Sequence, residues 1–119
     1  MQIVILTGGR DFDDFRKMEQ VLDAFCSIKN IQFFVGDCPT GLDHMARDFM
    51  CRFYPDIPVR VFKADWDTHG RAAGPIRNEK MVATAEGCFA LIVAFPGGRG
   101  TNNTVSHGKK YGIPAVRVE

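Results

Sequence analysis

The sequence holds no long apolar run: its longest are short, such as Phe89 to Phe95, far below the roughly 20 residues that a membrane-spanning helix needs. It has no surplus of charge either. Fifteen Lys and Arg against fourteen Asp and Glu leave a net charge of +1, which excludes a strong whole-chain electrostatic footprint for duplex nucleic acid or an anionic membrane. Cys26, Cys38, Cys51 and Cys88 lie 12, 13 and 37 residues apart, with no C-x-x-C pair and no H-x-x-x-H beside them. That spacing excludes the common structural zinc modules, and four reduced thiols serving as small apolar residues are expected. There is no repeat, no low-complexity tract and no linker long enough to separate one domain from another. With 119 residues, 45% hydrophobic and 24% charged, residues 1–119 are expected to fold as one domain without disulfide or metal support. The start, Met1 to Leu6, has no basic n-region and runs straight into Thr7-Gly8-Gly9. It reads as a first strand, not a signal peptide, and a cytoplasmic protein is expected.

What the chain does have is alternation. Ile3-Val4-Ile5-Leu6 is a continuous apolar run ending in glycines, the pattern of a strand covered on both faces. Between Asp14 and Ser27, the residues Phe15, Met18, Val21, Leu22 and Phe25 fall at helical spacing. Ile31 to Val35 is a second strand stopped by Gly36, and Leu42, Met45, Ala46, Phe49, Met50 and Phe53 trace one face of a second helix. Thr40 and Asp43 ahead of that helix resemble a capping box. Pro58 to Phe62 gives a third strand, and a long loop from Ala64 to Gly74 leads to a helix over Pro75–Ala85. Phe89 to Phe95 is expected to be the most buried strand. A last helix over Thr101–Tyr111 and a fifth strand over Pro114–Val118 complete the chain. Five strands interleaved with four main helices predict an α/β fold, a doubly wound five-stranded parallel sheet of order 3-2-1-4-5. Its switch point would lie between the first and fourth strands, where the loops Gly8–Phe12 and Pro96–Thr101 meet.

Seven of the twelve glycines (Gly8, Gly9, Gly36, Gly41, Gly97, Gly98 and Gly100) cluster in three strand-to-helix turns at the carboxyl edge of that sheet. Glycine there lets backbone N–H groups line a concavity, and a helix N-terminus adds its positive dipole end. Pro96-Gly97-Gly98-Arg99-Gly100-Thr101, between the most apolar strand and a helix, is the strongest of these anion seats. It is not a Walker loop, because no lysine follows Gly100, and Thr7-Gly8-Gly9-Arg10-Asp11-Phe12 is not a dinucleotide G-x-G-x-x-G. Classical NAD or ATP binding is disfavoured.

Arg10, Arg71, Arg77, Arg99 and Lys80 gather at the same rim, as suits phosphate or carboxylate recognition. Asp11, Asp37, Asp43, Asp65 and Asp67 share that edge, as suits ribose hydroxyls; Asp43 alone also suits a helix cap. A mixed solvated surface is the competing account of these charges. Trp66, the one tryptophan, either stacks on a nucleobase or plugs the edge of the core. His44, His69 and His107 have no Ser or Cys nucleophile in a recognisable elbow and read as surface or hydrogen-bonded histidines. No metal-ligand set and no resident cofactor is indicated.

Thr7-Gly8-Gly9-Arg10-Asp11-Phe12, Gly36-Asp37-Cys38-Pro39-Thr40-Gly41-Leu42-Asp43, Ala64-Asp65-Trp66 with Gly70, Ala73-Gly74-Pro75-Ile76-Arg77-Asn78 with Met81, and Phe95-Pro96-Gly97-Gly98-Arg99-Gly100-Thr101 follow one another in the chain. Together they resemble the YspA (YpsA-related) branch of the SLOG superfamily, which groups Smf/DprA proteins with the LOG phosphoribohydrolases. The resemblance spans residues 3 to about 105. It implies a Rossmann-like domain that binds a nucleotide or nucleotide-derived ligand. In that picture Pro96-Gly97-Gly98-Arg99-Gly100-Thr101 holds a phosphate through backbone N–H groups and the Thr101 hydroxyl, Gly8, Gly9 and Arg10 form the opposite wall, and Arg77 and Asn78 occupy the LOG arginine helix. LOG enzymes place a glutamate three residues after that threonine. Thr104 stands there in this chain, and Asp37 or Asp43 is left as a substitute carboxylate.

The expected function is therefore binding of a nucleoside phosphate or ADP-ribose-like ligand, as a module or sensor. The expected contacts are Gly8, Gly9, Arg10, Asp11, Gly36, Asp37, Gly41, Asp43, Trp66, Arg77, Asn78, Pro96, Gly97, Gly98, Arg99, Gly100 and Thr101. One alternative is a phosphoribohydrolase or other N-glycosidase acting on nucleoside monophosphates. Another is single-stranded DNA binding, which the +1 charge disfavours. A homodimer or higher homo-oligomer is expected from the related domains.

Overall fold

The computed structural model describes residues 1–119. Strand β1 (Gln2–Thr7) leads into helix α1 (Phe15–Cys26), β2 (Ile31–Gly36) into α2 (Gly41–Phe53), and β3 (Val59–Phe62) into a short helix α3 (Trp66–His69). A 3-10 turn, Gly70–Ala72, joins α3 to α4 (Ala73–Thr84), followed by β4 (Phe89–Ala94), α5 (Arg99–Tyr111) and β5 (Ala115–Arg117). The five strands are all parallel, in the order β3-β2-β1-β4-β5. The predicted doubly wound α/β architecture is the one observed, with four main helices and the short α3. No helix is long and apolar enough to cross a membrane.

Period-two alternation on β1 explains the two-layered core. Val4 and Leu6 join Met18, Leu22, Leu42 and Phe49 on the face covered by α1 and α2. Ile3 and Ile5 join Met81, Val82, Ile92 and Ile113 on the opposite face. Each large side chain buried there contributes about 1.5–3 kcal/mol of hydrophobic stabilisation. A strand that feeds both layers has no polar face, which is why the apolar run of β1 is continuous and that of β2 is broken only at Gln32.

Four local expectations are corrected. The segment Ala64–Gly74 is not an open loop. The Asp65 carboxylate accepts from the Thr68 N–H at 3.1 Å and caps α3, and the 3-10 turn carries the chain into α4 at Ala73. Pro75 is thereby the third residue of α4, where its missing N–H still deprives the helix of no bond. The Phe89–Phe95 strand is not the most buried: Phe89 is 84% exposed, and only Ile92 to Phe95 are fully covered. The side chain of Thr40 makes no cap bond to α2, and Asp43 turns inward instead of capping. Of the four free thiols, Cys51 and Cys88 are exposed and do not act as core residues.

Candidate functional site

β1 and β4 lie side by side, with Thr7 opposite Ala94, and their chains leave the sheet towards opposite faces. The crevice that opens at this point is a cleft of about 1590 Å³. Phe12 packs on Phe95 with ring centroids 5.3 Å apart, and the Phe95 N–H donates to the Thr7 carbonyl at 2.8 Å. Both loops are thus anchored where they leave the core.

Sixteen of the seventeen expected contact residues line the cleft: Gly8, Gly9, Arg10, Asp11, Gly36, Asp37, Asp43, Trp66, Arg77, Asn78, Pro96, Gly97, Gly98, Arg99, Gly100 and Thr101. Gly41 does not. Its φ of +67°, and the Gly9 carbonyl and Arg10 backbone that a Cβ here would run into, make it a structural pivot between the first two turns. Arg71 also faces the cleft, whereas Lys80, Asp65 and Asp67 lie outside it. His44, His69 and His107 are outside as well. The His107 Nε2 is buried without a hydrogen-bond partner, and its Nδ1 lies 3.8 Å from Glu79.

The turn after β4 has the geometry of an anion seat. Gly98 precedes α5 without any side-chain cap, and the first bond of the helix runs from the Asn102 N–H to the Gly98 carbonyl at 3.1 Å. The preceding amides therefore have no partner within the helix. Thr101 is 2% exposed, and its Oγ1 has no hydrogen-bond partner. A Cβ on Gly97 would collide with that hydroxyl and come within 2.6 Å of the Gly9 nitrogen. The opposite wall is less free than the sequence implied. The Gly9 N–H donates to the Pro96 carbonyl at 2.9 Å, and the Gly9 carbonyl accepts from Phe12 and Leu42, both at 3.2 Å. Gly9 ties the loops together and offers no amide to a ligand.

The floor is a polar network. Arg77 Nη1 donates to Asp37 Oδ1 at 2.9 Å and to the Phe62 carbonyl at 3.3 Å, and Arg77 Nε donates to Asn78 Oδ1 at 2.7 Å. Asn78 Nδ2 in turn donates to Asn103 Oδ1 at 3.2 Å and reaches the Gly100 carbonyl at 3.4 Å. Arg77 is thus a positioning residue that braces the first turn of α5 against β2 and β3. Thr104, buried, donates to the same Gly100 carbonyl at 3.1 Å and does not line the cleft.

Asp43 sits beside this network, 8% exposed, with Oδ2 accepting from the Cys38 N–H at 3.2 Å. Burial pushes its carboxyl above the ordinary carboxylate range. The Arg77 guanidinium, the Cys38 N–H and Arg47 oppose that shift, and Asp37 adds to it. Gly36 makes the crowding possible, since a Cβ there would lie 2.5 Å from Arg77 Nη1 and 2.6 Å from Asp43 Oδ2.

Three contributors escape a reading of the sequence. Arg47 donates to the Gly36 carbonyl at 2.8 Å and the Cys38 carbonyl at 3.0 Å, fixing the turn that presents Asp43. Its position four residues after Asp43, on one helical face, is the signal that could have found it. Lys17 and Asn103 line the cleft with no sequence signal of comparable strength. No three or more His, Cys, Asp or Glu side chains converge as a metal site would require.

No family model matches the chain. Over 64 residues it is 39% identical to the Gene 61 protein of Mycobacterium phage D29, an alignment covering 51% of this chain and 48% of that protein. The chain spans about half the length of this curated relative, whose name states no activity.

Proposed function

We propose that this protein binds a phosphorylated ligand of the nucleotide class, a nucleoside phosphate or an ADP-ribose-like molecule, at the switch point of its sheet. The observation that carries the reading is the Thr101 hydroxyl, buried and unpartnered in the uncapped first turn of α5. An orphaned hydroxyl costs stability unless something in the cleft completes its bonding. A phosphate oxygen would do so while meeting the free amides and the positive dipole end of the helix. Arg10, Arg71 and Arg99 around the rim supply matching charge. Trp66, 48% exposed beside the cleft, offers a flat face to a base. The volume exceeds the roughly 300–1,000 Å³ typical of small-ligand pockets, leaving room for more than a phosphate. The resemblance to the YspA branch of the SLOG superfamily agrees with this ligand class.

A second reading, hydrolysis of an N-glycosidic bond, draws on Asp43, a cleft carboxyl whose raised proton affinity suits acid–base work. Single-stranded DNA binding is disfavoured by the aspartates at positions 11, 13, 14, 37 and 43 in the same cleft.

The test is thermal unfolding against nucleoside mono-, di- and triphosphates, ADP-ribose and NAD, with each hit then analysed for free base. A ligand at about 100 times its dissociation constant should add roughly 2.7 kcal/mol, a melting shift of several degrees. No shift with any phosphorylated member would sink the binding reading. Free base released by the protein would establish the hydrolase.

A further inference from the structure

We propose that Asp43 forms a second subsite in the cleft, one that takes a sugar hydroxyl next to the phosphate and so selects a ribose-type over a deoxyribose-type ligand. The inference rests on the phosphate seat described above and adds the portion of the ligand that the floor recognises.

Among the floor carboxylates, Asp37 is already paired with a cation, Arg77. Its Oδ1 accepts from Arg77 Nη1 at 2.9 Å and from the Ala64 N–H at 3.3 Å. Asp43 differs. The Cys38 N–H reaches only its Oδ2, neither Arg77 nor Arg47 pairs with it, and it still lines the cleft. Its Oδ1 therefore carries no protein hydrogen bond, and its carboxyl, unlike that of Asp37, has no cation paired to it. A largely buried carboxyl with one protein donor and an edge on the cleft can take a second donor from a ligand.

The surroundings decide which donor. An anionic group would meet the carboxylate and be repelled. A cationic group would be desolvated within the field of two guanidiniums, Arg77 and Arg47, which already act on Asp43. A neutral hydroxyl meets neither penalty, and it can donate to the carboxylate or accept from the carboxylic acid. Asp43 lines the same cleft as the seat residues Gly97, Gly98 and Thr101. Asn78 alone bridges Arg77 on the floor to the Gly100 carbonyl in the turn that forms the seat.

Titration by chemical-shift perturbation with inorganic phosphate, 2-deoxyribose 5-phosphate and ribose 5-phosphate separates the two subsites. The expected result for the unaltered protein is that all three bind and that ribose 5-phosphate binds about tenfold more tightly than its deoxy analogue, as loss of one charge-assisted hydrogen bond implies. Asp43→Ala should erase that preference, and inorganic phosphate affinity should hold or rise because a carboxylate in the same cleft is removed. Asp43→Asn, whose amide oxygen still accepts, should retain some of the preference. Equal affinity for the two sugars in the unaltered protein overturns the hydroxyl subsite without any variant having to fold. So does a preference that survives Asp43→Ala. Failure of inorganic phosphate and both sugar phosphates to bind overturns the seat, and the hydroxyl subsite falls with it.

Discussion

The Thr101 hydroxyl lies against the Cα of Gly97, so close that a Cβ on Gly97 could not be accommodated, yet it is buried without a hydrogen-bond partner. Thr101→Val removes the hydroxyl and keeps the shape. Because the lost group makes no bond in the free protein, the melting temperature should stay level or rise slightly. Affinity for phosphate should fall about tenfold or more, the size of a hydrogen bond to a charged acceptor. Calorimetry of the variant with and without phosphate reads both quantities. A drop in melting temperature with affinity unchanged would show that the hydroxyl serves packing and not the ligand.

Gly98, one residue further, has no atom within 4 Å of where a Cβ would stand. Gly98→Asp should therefore fold normally. An aspartate ahead of the uncapped α5 amides is a favourable N-cap, though by only about a few tenths of a kcal/mol over the glycine it replaces. The same carboxylate occupies the anion seat, so phosphate binding should be lost. Retained affinity would remove this turn from the site.

The strand order, the switch point and the gathering of the expected site residues other than Gly41 at one cleft were legible because they follow from apolar runs and glycine placement. These are properties of single chain segments. Gly41 lies outside the cleft lining, and a glycine needed for a positive φ looks identical in sequence to one needed beside a ligand. Likewise, nothing in the local pattern says that Gly9 donates its amide to Pro96, or that Arg77 is engaged by Asp37, forty residues earlier. Asp43 looked like a cap because its offset from Thr40 fits one. The bond it makes, to Cys38, depends on how the turn folds back. The short helix α3 escaped notice because four residues are too few to show periodicity.

Arg77 and Asp37 should behave as one unit. Arg77→Met leaves the Asp37 carboxylate and the Asn78 amide without their shared donor, at a cost of about 1.5–3 kcal/mol. Asp37→Asn introduced on top should cost less than it does alone, a coupling of about 1–2 kcal/mol in a double-mutant cycle. Denaturant unfolding of the four proteins measures this. Strict additivity would mean that the pair contributes nothing to the brace between α4 and the cleft.

Gly41→Ala is expected to harm the fold before it harms binding. The position requires φ of +67°, and the added methyl would overlap the Gly9 carbonyl that accepts from Leu42. Backbone strain and overpacking together should remove about 2–4 kcal/mol, a melting loss of roughly 10 °C. A melting temperature unchanged in this variant would contradict the contact between the first two turns.

Asp43 should make the protein less stable at neutral pH than it would be without that charge. Its folded-state proton affinity is raised, chiefly by burial. Between the unfolded value of 3.8 and the higher folded value, the native state holds a proton that the unfolded chain has released. Stability contributed by this group is therefore full in acid and declines as the pH rises through that window. Asp65 and Glu79 work the other way. Their carboxyls are held below the ordinary range by hydrogen bonds from Thr68 and from Lys110 and Tyr111, so their contribution is lost as the pH falls through their folded values. Asp43→Asn isolates the first effect, since the amide oxygen still accepts from Cys38 while the charge is gone. Its melting temperature should exceed that of the unaltered protein by a few degrees at neutral pH, and the gap should close in acid. A buried carboxylate retained at a cost in stability is what a ligand-facing acceptor requires, because the charge that destabilises the empty cleft is the one that strengthens its bond to a hydroxyl. A gap that is absent at neutral pH, or that persists unchanged in acid, would show that Asp43 is solvated and would remove the electrostatic basis for its role in the cleft.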